Sequence, residues 1–276
     1  MFYSRLQVVC NPEYCEILMA EIAESGFDTF MENDTGFEAY AEMEKFDKDR
    51  LQEVKSRYQL QTPLEFFHDR VPKQNWNEQW EKSYEPIIVE DKCLIRASFH
   101  QIERKYPWEI IITPKMSFGT GHHQTTYLMV KAQMNLDHKG KRVMDAGCGT
   151  AILSIMASKL GASQVEAFDI DEWSMVNGKE NAEVNHCANI RLQQGTIHEV
   201  QIEGKFDIVL ANINKNVLLA EIREYQKFLN VGGHLLISGF YEHDIDDLKN
   251  ECAQYNLAEI SSDSRETWAS VLFRKN

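Results

Sequence analysis

The residues of this chain whose types and spacing could support binding or catalysis are two acids and the glycines of a turn. Val143 and Met144 are apolar and run into Asp145, which comes just before Gly147 and Gly149. Apolar residues at helical spacing follow. Glycine lets the backbone adopt positive φ and lets a ligand approach without a Cβ in the way. A strand, a glycine turn and a helix in this order are typical of the nucleotide-facing turn of doubly wound α/β proteins.

The turn does not have the pattern of a phosphate-binding loop. A dinucleotide site needs a third glycine where this chain has Ile152, and no Lys or Arg lies in the turn to meet a phosphate. Asp145 would repel a pyrophosphate but suits a ligand with a positive end. Asp169 ends the next predicted strand, at the position where an acid holds a ribose diol. These residues predict S-adenosylmethionine, which has a ribose and two cationic groups but no phosphate.

Asp169 has a possible structural role as well. It could cap the helix that is predicted from Glu172 onward, but Asp171 fits that role better and leaves Asp169 available for a ligand. We therefore expect Asp145, Gly147, Gly149 and Asp169 to surround the cofactor, together with Ile170.

A second glycine loop precedes the turn, in the sequence Phe118-Gly-Thr-Gly-His-His-Gln-Thr-Thr126. Thr125 and Thr126 fall in the first turn of the helix that follows, where a hydroxyl can cap the helix or meet a ligand. Phe118, Thr125 and Thr126 are therefore candidate cofactor contacts, although this loop alone does not decide between a capping role and a ligand. The adjacent pair His122-His123 does not suggest a metal site, because neighbouring residues do not share a helix face and no carboxylate follows at ligand spacing.

The elements that must position these residues alternate between strands and helices from Lys141 to the end of the chain. Such alternation predicts a mostly parallel sheet of seven strands with helices on both faces, whose ligands bind beyond the carboxyl ends of the strands. The loops after Asp145, Asp169 and Asn212 are therefore expected to meet in one crevice. A turn is predicted at Gly232-Gly233 and a helix over Tyr241–Tyr255.

The first part of the chain has a different pattern. Residues 1–68 have the order βαββαβ, which predicts a small ferredoxin-like domain. Residues 69–86 predict a linking helix with Trp76, Trp80 and Tyr84 on one face. That face could pack on a neighbouring domain, or one aromatic ring could reach a cationic substrate. Residues 87–276 then form the cofactor-binding domain.

Composition limits the classes of partner. The net charge is −14, from 29 basic and 43 acidic residues, which argues against DNA or RNA wrapping that depends on phosphate neutralisation. Six scattered cysteines without a C-x-x-C pair predict free thiols and a reducing compartment. No signal peptide and no bilayer-spanning run are apparent. We predict a cytoplasmic, monomeric protein without a membrane anchor.

The segments Asp145-Ala-Gly-Cys-Gly-Thr, Phe168-Asp-Ile-Asp171 and Ala211-Asn-Ile213 resemble class I methyltransferases. Together with the Phe118–Thr126 loop and the Asn75–Pro86 helix, they resemble the PrmA family, the bacterial methyltransferases of the large-subunit ribosomal protein numbered eleven.

The resemblance covers the whole chain. It implies methyl transfer to lysine side-chain amines and to the N-terminal amine of that protein. It also implies that the N-terminal domain recognises this substrate, and that a flexible linker lets the domain reposition over the catalytic domain. It also implies that Thr126, Gly147, Asp169 and Asn212 contact the cofactor.

Several alternatives remain beside this interpretation. Asn212 is expected to orient the amine as the catalytic residue, but it could instead cap the helix from Lys215. The chain departs from the methyltransferase pattern at Ala151, where a third glycine is usual. Another protein lysine or a small molecule could be the substrate, because the catalytic fold does not determine it. A nucleic-acid or glutamine methyltransferase would have Pro-Pro after the asparagine, and a non-catalytic module would be expected to have lost Asp169 or a glycine.

Overall fold

A computed structural model describes residues 2–33, 35–42, 46–59, 61–72, 85–113 and 123–276 of the chain. The chain divides into two compact units, Met1–Ser83 and Tyr84–Asn276. No helix within the described residues is long and apolar enough to cross a membrane.

The first unit has the predicted ferredoxin-like topology. Its four-stranded sheet has the order β2-β3-β1-β4, and every neighbouring pair is antiparallel. Apolar residues on one face of the sheet pack against the two helices. Asp47 begins the second helix by accepting hydrogen bonds from the backbone N–H groups of Asp49 and Arg50. The elements are β1 (Phe2–Val9), a 3-10 turn (Pro12–Tyr14), α1 (Cys15–Ala23), β2 (Thr29–Asn33), β3 (Gly36–Glu42), α2 (Lys48–Tyr58) and β4 (Glu65–Pro72).

Two cysteines that are separated in sequence meet in this core. The Sγ atoms of Cys10 and Cys15 are 3.6 Å apart, and all six cysteines of the chain are free and buried.

Strand β4 continues to Pro72, four residues past the predicted domain boundary. The predicted helix with Trp76, Trp80 and Tyr84 lies outside the described residues.

The second unit begins with a small three-stranded sheet and then forms the main sheet. The small sheet consists of β5 (Ile87–Val89), β6 (Cys93–Arg96) and β7 (Trp108–Ile111). The main elements are α3 (Gln124–Met134), β8 (Arg142–Ala146), α4 (Ile152–Lys159), β9 (Gln164–Asp169), α5 (Glu172–Val184), β10 (Ile190–Gln194), β11 (Phe206–Asn212), α6 (Lys215–Phe228), β12 (Leu229–Tyr241), α7 (Ile245–Ala253), β13 (Leu257–Arg265) and β14 (Trp268–Lys275).

The main sheet has seven strands in the order β10-β9-β8-β11-β12-β14-β13. The first five strands are parallel, and β14 is antiparallel to both of its neighbours. The central strands are buried on both faces, so they are nearly continuous apolar runs. This arrangement confirms the predicted mostly parallel, doubly wound sheet of seven strands.

Two predicted details are wrong. Gly232 and Gly233 do not form the predicted turn, because strand β12 already begins at Leu229. Its pairing with β11 jumps from Phe206–Leu229 to Ile208–His234, so the glycines accommodate an irregularity inside the strand. The helix predicted from Tyr241 starts later, since Tyr241 still belongs to β12 and a 3-10 turn (Glu242–Asp244) precedes α7.

Strand β13 forms one edge of the sheet. Apart from Leu257, all of its residues are exposed, and most of them are polar or charged.

Candidate active site

A cavity of about 470 Å³ opens at the carboxyl ends of β8, β9 and β11. This is the edge at which a doubly wound sheet binds its ligands. Six residues that the sequence predicts for the site line it: Thr125, Gly147, Gly149, Asp169, Ile170 and Asn212.

Backbone hydrogen bonds fix the glycine turn. The N–H groups of Gly147 and Cys148 both donate to the carbonyl of Phe168, at 2.9 and 3.0 Å. Gly147 and Gly149 have φ of +68° and +51°, the left-handed region that glycine tolerates best. Ala151 adopts φ of +62° at the N-terminus of α4, which starts at Ile152. The alanine therefore keeps a glycine-like conformation in spite of its methyl group.

Asp169 ends β9 and lies on the cavity wall. Its Oδ2 accepts a hydrogen bond from the Gly149 N–H at 2.8 Å, and its Oδ1 accepts one from the Asp171 N–H at 3.1 Å. Asp171 caps α5, because its carboxylate accepts from the Ser174 N–H at 2.9 Å. Asp171 thus caps the helix as the sequence predicts, and Asp169 lies on the cavity wall, where it can accept hydrogen bonds from a ligand.

Asp145 lies behind this wall and is completely buried. The Ser154 hydroxyl donates to its Oδ2 at 2.5 Å, while its Oδ1 has no hydrogen-bond partner among the described residues. Burial raises the pKa of Asp145 to about 7, although the Ser154 hydrogen bond opposes the shift. The carboxyl group therefore changes its charge near neutral pH.

The raised pKa of Asp145 makes the stability of the cofactor-free protein depend on pH. The native carboxyl holds its proton up to about pH 7, whereas an unfolded aspartate loses it near pH 4. The contribution is thus fully present below pH 4 and is lost as the pH rises through 7. Between pH 5 and 8 we expect wild type to lose about 2 kcal/mol more unfolding free energy than Asp145→Asn. Urea denaturation at both pH values measures this, and parallel pH profiles would contradict it.

Among the predicted site residues, two further buried polar atoms lack partners within the described part of the chain. They are Asn212 Oδ1 at the end of β11 and Thr126 Oγ1 in the first turn of α3. A buried polar atom without a partner is costly, and Asn212, which also lines the cavity, suits a ligand that supplies a donor. Asn212 does not cap α6, because Asn214 accepts from the Val217 N–H at 3.1 Å in that role. Thr125 lines the cavity and bonds His123 Nδ1 at 2.7 Å.

The predicted site residues thus fall into three groups. Six line the cavity, Asp145 and Thr126 lie buried, and Phe118 lies outside the described residues. Sequence reasoning missed ten lining residues: His123, Phe168, Gly195, Thr196, Ile213, Asn214, Val217, Glu221, Gly239 and Trp268. The strand-end rule could have found Gly195 and Thr196, which follow β10. No local pattern marks Trp268, because an antiparallel strand at the end of the chain brings it to the site.

The charges on the cavity wall fit the predicted cofactor. Its carboxylates are those of Asp169 and Glu221, and no lining residue in the described ranges is Lys or Arg. Such a wall suits a cationic nucleoside and not a phosphate. Fold and site together define a class I methyltransferase, in which an acid at the end of β9 lines the cavity.

The comparisons identify the family within this class. The chain belongs to the PrmA family, ribosomal protein L11 methyltransferase, whose model matches residues 13–276. The L11 methyltransferase of Porphyromonas gingivalis is 43% identical over 94% of this chain and 90% of its own length. That of Phocaeicola vulgatus is 37% identical over 96% and 95%.

A solved structure agrees with this assignment. The crystal structure of the ribosomal protein L11 methylase from Lactobacillus delbrueckii subsp. bulgaricus matches with a TM-score of 0.65 and 30% identity. The match covers 70% of this chain and all of that one. These findings confirm the predicted family, the methyltransferase activity and S-adenosylmethionine as the cofactor.

Proposed function

We propose that this enzyme methylates lysine side-chain amines and the N-terminal amine of ribosomal protein L11. The observation that carries the proposal is the extent of the family match, which runs from residue 13 to residue 276 and so includes the N-terminal unit. A shared catalytic fold alone would leave the substrate open. We further propose that residues 1–68 recognise the substrate and that the enzyme acts in the cytoplasm as a monomer that does not bind DNA.

S-adenosylmethionine, when bound, supplies a methyl group that its sulfonium already activates. In our proposal Asp169 accepts hydrogen bonds from the ribose hydroxyls, and Gly147 and Gly149 let the cofactor lie against the backbone. Ile170 and the Thr125–Thr126 turn border it. The chain then has to align the lone pair of the incoming amine with the methyl carbon, since alignment provides much of the rate enhancement of a displacement.

The amine must also be neutral. A lysine of pKa about 10.4 costs on the order of 4–5 kcal/mol to deprotonate at pH 7. The largely apolar cavity removes water from the amine and favours its neutral form. In our proposal Asn212 Oδ1, which has no other partner in the described ranges, accepts a hydrogen bond from the amine and orients it, while water takes the proton.

Asn212→Ala is expected to lower kcat about 100-fold, because the amine loses the acceptor that orients it. The matched control is Asn230→Ala. It removes the hydrogen bond that Asn230 donates to Asp207 Oδ1 at 3.0 Å near the start of β11, costs about 1 kcal/mol of stability and leaves kcat within about twofold of wild type. Steady-state kinetics on both variants make the comparison. Unchanged turnover in Asn212→Ala would rule out its catalytic role.

The substrate is tested by incubating the enzyme with labelled S-adenosylmethionine and a complete set of ribosomal proteins. We expect label in L11 alone and none with Asp169→Ala. Mass spectrometry of the labelled protein then locates the modified amines. Label in a different protein would replace L11 as the substrate, and label only in small molecules would support a small-molecule methyltransferase.

A further inference from the structure

Trp268 stands at the end of the cavity that the cofactor residues leave open. It begins β14 and pairs with Tyr241 at the end of β12. Along the binding edge the strands follow the order β9, β8, β11, β12, β14, so Trp268 lies four strand spacings from Asp169, about 19 Å at 4.8 Å each. Asn212 ends β11, between the two. A nucleoside bound at Asp169 with its methyl group near Asn212 leaves the Trp268 end for the substrate.

Two neighbours hold the Trp268 ring in place while it lines the cavity. The His123 ring meets it edge-on, with centroids 4.5 Å apart and planes at 70°. The Tyr241 ring packs on it at 4.2 Å and 32°. Such contacts fix the orientation of an aromatic side chain before a ligand arrives, which lowers the entropic cost of binding.

The surroundings of Trp268 favour a cation. The wall of the cavity includes the carboxylates of Asp169 and Glu221, and none of its described lining residues is Lys or Arg. His123 is half-buried, and burial lowers its pKa, so the imidazole is neutral at physiological pH and does not repel a positive group. A tryptophan face is the best aromatic partner for an ammonium or methylated ammonium group.

We propose that Trp268 is the cation-binding residue of the substrate side, which receives the amine of the incoming substrate and the methylated ammonium of the product. The inference rests on the proposed function, because it takes the substrate to be a protein amine. Trp268 holds the charged amine at the open end, and Asn212 orients it once its proton has left. The residue therefore acts on substrate affinity more than on the rate of transfer.

The test uses the full chain loaded with S-adenosylhomocysteine and two peptides. One carries Nε-trimethyllysine, and the other carries a neutral side chain of the same shape, in which a tert-butyl group replaces the trimethylammonium. Wild type should bind the cationic peptide about 10-fold more tightly than the neutral analogue. Trp268→Leu should bind the two peptides equally. Calorimetry gives both affinities and the affinity for S-adenosylhomocysteine, which should stay within about twofold of wild type.

Fluorination of the ring separates cation binding from packing. Tryptophan with one, two or three fluorine atoms, placed at position 268 alone, keeps the shape of the side chain but weakens its attraction for cations. Affinity for the cationic peptide should fall stepwise, whereas the neutral analogue should not respond. The matched control is Trp173→Leu, an exposed tryptophan of the same unit, which should leave both affinities unchanged.

Equal binding of the two peptides to wild type, or a loss of S-adenosylhomocysteine affinity in Trp268→Leu, would overturn the proposal. The peptides do not contain L11 sequence. A different protein substrate would therefore change the labelling experiment but not this one, so the two failures can be told apart.

Discussion

Replacement of Asp169 by alanine is expected to weaken the binding of S-adenosylmethionine by at least about 100-fold. The carboxylate would lose two hydrogen bonds to the ribose hydroxyls, and bonds to a charged acceptor contribute roughly 1.5–3 kcal/mol each. It would also leave the Gly149 N–H, which now donates to Oδ2 at 2.8 Å, without a partner in the turn. Asp169→Asn keeps one acceptor oxygen and is expected to lose about 10-fold. Isothermal titration calorimetry measures both.

Asp171 provides the matched control, two residues away on the same loop. Its carboxylate caps α5, and asparagine caps a helix about as well as aspartate. Asp171→Asn is therefore expected to bind the cofactor like wild type. Circular dichroism should show native secondary structure in all three variants. Undiminished affinity in Asp169→Ala would exclude the ribose contact.

Gly147→Ala and Gly239→Ala are expected to destabilise the protein by about 3 kcal/mol or more each, for two different reasons. Both residues have positive φ, of +68° and +98°. A Cβ on Gly147 would lie 2.3 Å from the Cγ2 of Ile213, whereas a Cβ on Gly239 would lie 2.2 Å from the carbonyl oxygen of Ile213. The first clash involves a side chain, and the second involves the backbone.

The substitution Ile213→Ala separates these two cases. It removes the atom that Gly147→Ala would strike, so the double variant should recover at least 1 kcal/mol relative to the sum of the two single changes. It does not remove the carbonyl, so the double variant with Gly239→Ala should show only additive losses. Urea denaturation of the five variants and wild type measures the coupling. If Ile213→Ala showed the same coupling energy with Gly147→Ala as with Gly239→Ala, the assignment of one clash to the side chain and the other to the backbone would be wrong.

Local chemistry made part of the site predictable. The place of Asp169 on the cavity wall and the helix cap of Asp171 follow from a strand end and a helix start, and both are visible in the sequence. The absence of phosphate partners in the turn identified the kind of nucleoside. The fold was predictable for a similar reason, since apolar runs and glycines recur at the spacing of a parallel sheet.

Other features depend on pairing between distant strands, which a single sequence does not reveal. Trp268 reaches the cavity because β14 runs antiparallel beside β12, and Glu221 reaches it because α6 packs next to β11. The turn predicted at Gly232-Gly233 was wrong for the same reason, because glycine has the same local preference at a turn and at an irregularity inside a strand. Gly147 lines the cavity, but its steric conflict with Ile213 requires coordinates.

The exposed edge strand β13 has a consequence for the behaviour of this protein at high concentration. An edge strand presents unpaired backbone groups, on which another chain can extend the sheet and start aggregation. The β13 segment Ser261-Ser-Asp-Ser-Arg265 offers such a chain no apolar side chain to cover. The net charge of −14 also makes copies of the chain repel one another. The polarity of β13 therefore opposes aggregation of a protein whose sheet has an open edge.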